Sequence, residues 1–198
     1  MMENAISAFS GAITARRRAG GTNSDLGFFV EDDWTLDRLV LTGGLRADRT
    51  SIADGFYRSA EPSGQLTIDE SYADRSDWTV TWRGGALLRV SDALALRGAA
   101  YSGIRLPTLN ELYRPFVVFP VVTEANAALE NEEIRGFEAG LDLTPTEGVR
   151  LSVTAFDNRI EGAIANVTIA ENLRQRRNLP AIDAQGVEAD GSIELGQF

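Results

Sequence analysis

Apolar and polar residues alternate with a period of two in five separate stretches of this chain, a pattern that strands satisfy and helices do not. From Trp78 to Val90 the even positions are Trp78, Val80, Trp82, Gly84, Ala86, Leu88 and Val90. The odd positions are Thr79, Thr81, Arg83, Gly85, Leu87 and Arg89. Leu39, Leu41, Leu45 and Ala47 likewise oppose Val40, Thr42, Arg46 and Asp48. Phe137, Ala139, Leu141 and Leu143 oppose Glu138 and Asp142, while Val149, Leu151, Val153 and Ala155 oppose Arg150, Ser152 and Thr154. Leu94, Leu96 and Ala100 oppose Arg97 and Tyr101 more weakly. Between Leu26 and Leu36, Asp32 falls in phase with Phe28, Val30 and Trp34, and a bulge there would restore the phase. The 19 glycines, scattered through apolar stretches, suit strands with tight corners better than helices.

Short turns near Asp37-Arg38, Ser91–Ala93 and Thr144–Gly148 alternate with long polar loops, roughly 51–75, 105–131 and 161–184. Tight turns at one end, long loops at the other and strands of about ten residues describe an outer-membrane barrel. Loops above about 15 residues are uncommon in compact soluble domains. A soluble sandwich or lipocalin-like barrel also alternates, but its polar face has no need of so many charges as Arg46, Asp48, Arg83, Arg89, Arg97, Glu138, Asp142 and Arg150. The expected fold is therefore all-β: an antiparallel meander of long strands forming part of a transmembrane β-barrel. Seven strands are readable and residues 4–15 supply an eighth. Trp34, Trp78 and Tyr101 fall near strand ends, where aromatic girdles belong.

Composition removes whole classes of chemistry. The chain has no His, no Cys and no Lys, so Ser-His and Cys-His catalytic pairs and His- or thiolate-held metals are excluded. A net charge of −10 argues against nucleic acid as a partner. Basic residues cluster only at Arg16–Arg18 and Arg174–Arg177. No apolar run is long enough for a transmembrane helix. Ala5–Ala15 is mildly apolar, but its positive charge follows instead of preceding it, unlike a secretory signal. The expectation is a piece of a longer protein.

Particular segments carry a family resemblance. Gly103–Tyr113 (GIRLPTLNELY) resembles the GFRAPTLNELY segment of TonB-dependent outer-membrane receptors, and Asn126–Glu132 (NAALENE) their NPDLKPE segment. Arg135–Asp142 and Arg150–Ile160 resemble the hairpin that follows, and Asn178–Ala189 a later stretch. Gly27–Leu36 and Leu39–Arg49 are similar to an earlier hairpin. Ile104, Leu106 and Ala127 depart from the usual aromatic, Ala and Pro. The resemblance implies a barrel of about 22 strands around a separate plug, of which residues 1–198 would be a part without the plug or the last strands. Phe198 is aromatic, as barrel C-termini often are, although Ser192–Phe198 does not alternate.

The resemblance further implies a bacterial outer-membrane transporter that is not an enzyme. It would take up a small scarce ligand, such as a ferric siderophore, with energy from an inner-membrane TonB complex. Its other partners would be the plug, the bilayer and lipopolysaccharide. A passive porin-like or adhesin barrel, or a soluble β-rich binding module, is the alternative. Ligand candidates are the loop aromatics and arginines: Phe56, Tyr57, Arg58 and Tyr72 in the first loop, Tyr113, Arg114, Phe116 and Phe119 in the second, and Arg174, Arg176 and Arg177 in the third. Arginine suits carboxylate, catecholate or phosphate through its planar fork, and aromatics stack on flat ligands. The same residues also serve to pack loops together or to touch lipopolysaccharide phosphates. Arg105 is expected to face the plug, as are the lumen charges Arg83, Arg97, Glu138 and Asp142. No catalytic residue, cofactor or resident metal is expected: Asp69, Glu70, Asp74 and Asp77 match no Ca²⁺ loop.

Overall fold

A computed structural model describes residues 2–9 and 11–194, without the side chains of residues 8 and 9. The strands are β1 (Met2–Phe9), β2 (Ala12–Leu36), β3 (Leu39–Ala60), β4 (Leu66–Ser71), β5 (Arg75–Arg89), β6 (Leu94–Arg105), β7 (Phe116–Val118), β8 (Val121–Glu124), β9 (Glu132–Thr146), β10 (Val149–Glu161), β11 (Ile164–Ala170), β12 (Leu173–Asn178) and β13 (Ala181–Ile193). One short helix, α1 (Leu109–Tyr113), interrupts them. The main sheet follows the path β1-β2-β3-β5-β6-β9-β10-β13, with β4 added on β3, and every pairing in it is antiparallel. A second sheet, β11-β12-β8-β7, contains the parallel pair β8–β12. Among the described residues no helix is long and apolar enough to cross a membrane, a statement that bears on helices alone.

Register explains the two faces. Val30 pairs with Leu45, Leu45 with Trp82, Leu88 with Leu96, Leu96 with Leu141, Leu141 with Val153 and Val153 with Ala189. Because paired residues share a face, these pairs join into one apolar surface. Nothing covers it: Phe28 is 60%, Val80 64% and Val187 71% exposed. The opposite face carries the charges, partly as ion pairs such as Arg46–Asp48 at 2.7 Å and Arg97–Asp142 at 3.3 Å. A bare apolar face backed by a charged one suits a wall between lipid and an aqueous lumen.

Four details differ from the sequence reading. The irregularity lies where Gly21 of β2 faces two residues of β3, Asp54 and Gly55, and Asp32 pairs in unbroken register with Gly43. Asp32 therefore stays on the apolar face, near the short-turn end, where its Oδ1 accepts the Asp33 N–H at 2.9 Å. Residues 4–15 are not one strand, since β1 ends at Phe9 and Gly11 turns the chain at φ +82° into β2. Tyr101 belongs to no outer girdle: it shares the polar face with Arg83, its register partner, and its hydroxyl lies 3.1 Å from both Glu138 and Asn158.

The fourth difference is the largest. The first and third long loops are mostly strand: β3 runs on to Ala60, β4 returns along it, and β11 and β12 form a hairpin in the third. The second holds α1, β7 and β8. In the first loop the ladder between β2 and β3 continues although the alternation stops. Phe198 lies outside the described residues.

Along the polar face, long side chains lie flat over glycines of neighbouring strands. A Cβ at Gly44 would stand 3.2 Å from Arg83 Cγ, one at Gly140 would meet Arg97 Cζ at 2.9 Å, and one at Gly136 would run into the Tyr101 ring and the Asn158 amide. Gly136→Ala should therefore destabilise the barrel by about 1–3 kcal/mol through overpacking. Gly84→Ala, whose Cβ would meet only the Thr42 carbonyl at 4.0 Å, should leave the denaturation midpoint close to wild type.

Candidate functional site

Burial concentrates at the long-loop end. Helix α1 is started by Thr108: its Oγ1 accepts the Glu111 N–H at 3.2 Å, and Glu111 Oε2 accepts the Thr108 N–H at 2.8 Å. That cap fixes Leu112 and Tyr113, both buried, against Ile52 of β3 and Leu129. Tyr113 stacks on Tyr72 with ring centroids 4.6 Å apart, over Gly55, where any Cβ would strike its ring. The Tyr72 hydroxyl donates to Glu70 at 2.6 Å. Burial, first of all, pushes the Tyr57, Tyr72 and Tyr113 phenols above their ordinary range.

Arg105, at the end of β6, ties this cap to the wall. It donates to both oxygens of Glu132 on β9 and to Glu111 of α1 at 3.0 Å, while Glu132 also accepts the Ile164 N–H of β11. The Glu132 carboxyl is held below its ordinary range mainly by the Arg105 hydrogen bond. Burial alone would raise Glu111, but Arg105 and Thr108 outweigh it and hold it low as well.

Two hollows of about 440 and 280 Å³ lie side by side under the cap and share Arg17, Tyr57, Pro115 and Val117. Phe116 and Phe119 extend the first, and Tyr72 and Tyr113 the second. Among the described residues no ion pair or side-chain hydrogen bond engages Arg17, although its charge acts on Tyr57. The sequence singled out Arg16–Arg18 only as a basic run. What marks Arg17 is its register, opposite buried Ser59 on the face that also carries Ala19 and Tyr57. That face could be assigned only by knowing that β2 begins as early as Ala12.

The remaining candidates divide. Arg176 sits 5.1 Å over the Phe116 ring and donates to the Asn110 and Arg114 carbonyls, and Arg114 pairs with Glu3 of β1. Tyr57, Tyr72, Tyr113, Arg114, Phe116 and Arg176 thus converge on the cap. Phe56 and Arg58 lie on the other side of β3, stacked at 5.2 Å, with Arg58 paired to Asp69 at 2.7 Å. Phe119 is 92% exposed at the rim, and Arg174 and Arg177 are exposed on β12, the latter donating to Gln175 at 2.8 Å. Arg83 pairs with Glu31, Arg97 holds Asp142, Ser152 and Thr154, and Glu138 accepts from Tyr101, all on the wall away from the cap. Among the described residues no three carboxylates are grouped to hold a metal.

The family model for TonB dependent receptor-like β-barrels matches residues 2–198. No curated protein matches the chain in sequence. Among solved structures, the Serratia marcescens hemophore receptor HasR, in complex with its hemophore HasA and heme, is similar at TM-score 0.72 and 17% identity, over 98% of this chain and 38% of that one. The ferric yersiniabactin uptake receptor FyuA from Yersinia pestis gives 0.71 and 16%, over 96% and 27%. The copper transporter OprC gives 0.65 and 18%, over 93% and 27%. At such identities the likeness concerns the fold, and this chain spans well under half of each of those structures.

Proposed function

The chain belongs to the TonB-dependent receptor β-barrel family, and from that premise we propose that it is part of a bacterial outer-membrane transporter that takes up a scarce anionic ligand such as a ferric siderophore. In the whole receptor a plug fills the lumen against Arg83, Arg97, Glu138 and Asp142, and a TonB complex in the inner membrane supplies the energy. Outside the cell the ligand settles under the cap. The observation that carries this reading is the Arg17 guanidinium, which has no ion-pair or hydrogen-bond partner among the described residues, between two aromatic-lined hollows. Arginine binds oxyanions through paired hydrogen bonds, and Tyr57, Tyr72, Tyr113 and Phe116 offer flat surfaces for planar ligand groups.

Charge separates ligand contact from mere support of the fold. Cells carrying the whole receptor would be given a radioiron-labelled ferric tris-catecholate, which is an anion, or a neutral ferric trihydroxamate. Arg17→Ala should weaken uptake of the anion about ten-fold or more, the loss of a charge-assisted hydrogen bond, and leave any uptake of the neutral complex unchanged. Equal losses for both would make Arg17 structural. Uptake that persists after the inner membrane is depolarised would replace the energised transporter with a passive channel.

A further inference from the structure

The seam between β5 and β6 is only half closed. β3 pairs with β5 over fourteen positions, Leu39–Ile52 against Arg75–Leu88, and β6 pairs with β9 over twelve, from Leu94 to Arg105. β5 and β6 pair over seven, Arg83–Arg89 against Ala95–Tyr101. Toward the long-loop end the facing edges, 76–82 of β5 and 102–106, run on with no ladder between them. A single bond spans the first open position, from the Trp82 N–H to Ser102 Oγ at 3.0 Å. A hydroxyl has replaced a backbone carbonyl there, and the ladder stops.

Beyond that point a cavity of about 580 Å³ parts the two lips, lined by residues 76–80 on one side and by Leu106, 128–131 and Glu133 on the other. Arg75 reaches across it, Nη1 donating to the Leu129 carbonyl at 2.7 Å. The Leu129 side chain is fully buried against Ile52, Leu112 and Tyr113. Leu129 is thus a wedge seated in the cap, and Arg75 the strap that keeps it there.

Two bare strand edges cannot face lipid, where no water satisfies their N–H and C=O groups. The register that would close them is already set. Continuing from Arg83↔Tyr101 gives Trp82↔Ser102, Thr81↔Gly103, Val80↔Ile104 and Thr79↔Arg105. Val80 and Ile104 would then pair on the lipid side, while Thr81 would meet a glycine on the lumen side. We infer that this upper seam is a two-state zipper, closed by those four pairs and held open while Leu129 is seated in the cap. The cap that carries Tyr113 is thereby coupled to the wall, an effect that stands whatever ligand the hollows take.

Disulfide trapping tests it. The chain has no cysteine of its own, so engineered pairs in the whole receptor are unambiguous within this segment. Paired antiparallel residues lie about 4.5–5.5 Å apart at Cα, inside the disulfide range of about 4.4–6.8 Å. In outer-membrane vesicles treated with a membrane-permeant oxidant, Leu88→Cys with Leu96→Cys should cross-link completely in every background and report an assembled wall. Val80→Cys with Ile104→Cys should cross-link partially, and several-fold more when Leu129→Ala removes the wedge or Arg75→Gln removes the strap. Complete cross-linking of the upper pair in all backgrounds would mean the seam never opens. No cross-linking in any would mean it never closes. A partial yield that neither variant changes would remove Leu129 and Arg75 from the mechanism. Each of these three results overturns the inference.

Discussion

Val153→Arg should destabilise the whole barrel by about 2–4 kcal/mol, the cost of a cation near the bilayer midplane, and Thr154→Arg by much less. The two residues are neighbours near the middle of β10 that point through opposite sides of the wall. Val153 is flanked by Leu141 and Ala189 on the bare apolar face. Thr154 is flanked by Gly140 and Glu188 and accepts a hydrogen bond from Arg97. An arginine at 154 forfeits that bond and crowds Arg97, but it gains Glu188 opposite and keeps its head in water. Stability alone does not name the solvent, because a soluble core would also reject Arg at 153. Acyl-chain nitroxide or bromine quenching of a fluorophore attached to Val153→Cys or Thr154→Cys does. Strong quenching at 153 with little at 154 is the expected pattern, and equal negligible quenching at both would contradict a lipid-facing wall.

Leu112→Ala should cost the cap about 2–5 kcal/mol, the range for truncating a fully buried leucine. Its side chain is fully buried in a cluster with Ile52, Tyr113 and Leu129, against which Tyr72, Leu109, Ala127 and Ile164 pack. The loss should be local. Residues 106–131 are expected to exchange amide hydrogens faster and to become protease-sensitive, while the spanning ladders, held by pairing along the wall, keep their protection. Protection lost equally in cap and wall would show that the two fold as one unit.

Why the spanning wall was readable and the cap was not follows from the physics of each. Between Trp78 and Val90 one face of the strand is apolar and the other polar, as a wall between lipid and water requires, so the letters alternate and the strand is visible in the sequence. From Thr50 to Ala60 one face of β3 is buried, but its buried residues mix polar Thr50 and Ser59 with Ile52 and Tyr57, and an extra residue at Asp54-Gly55 shifts the phase, so the letters lose their period although the backbone ladder to β2 continues. The parallel β8–β12 pair joins segments about fifty residues apart and leaves no local trace. Of the candidate site, the aromatics were legible by type, and Tyr57, Tyr72, Tyr113 and Phe116 do converge. Arg17 was hidden in a basic run whose facing was unknown. Arg105 was expected to face a plug, and in this chain its guanidinium is engaged by Glu132 and Glu111. Those carboxylates lie 27 and 6 residues away; the return of β9 alongside β6 brings Glu132, and the capped start of α1 brings Glu111.

The unequal heights of the strands have a consequence for the two hollows. β2 has 25 residues and β10 has 13, a difference of about 40 Å of contour at ~3.3 Å per residue. With β3 almost as long, the main sheet runs on as a parapet in one sector, whereas above β9 and β10 it ends and the chain passes into the β11–β12 hairpin of the second sheet. The inner surface of this tall sector carries Arg17 and Tyr57, so the height of β2 and β3 sets how far the wall of the two hollows rises beside Pro115 and Val117.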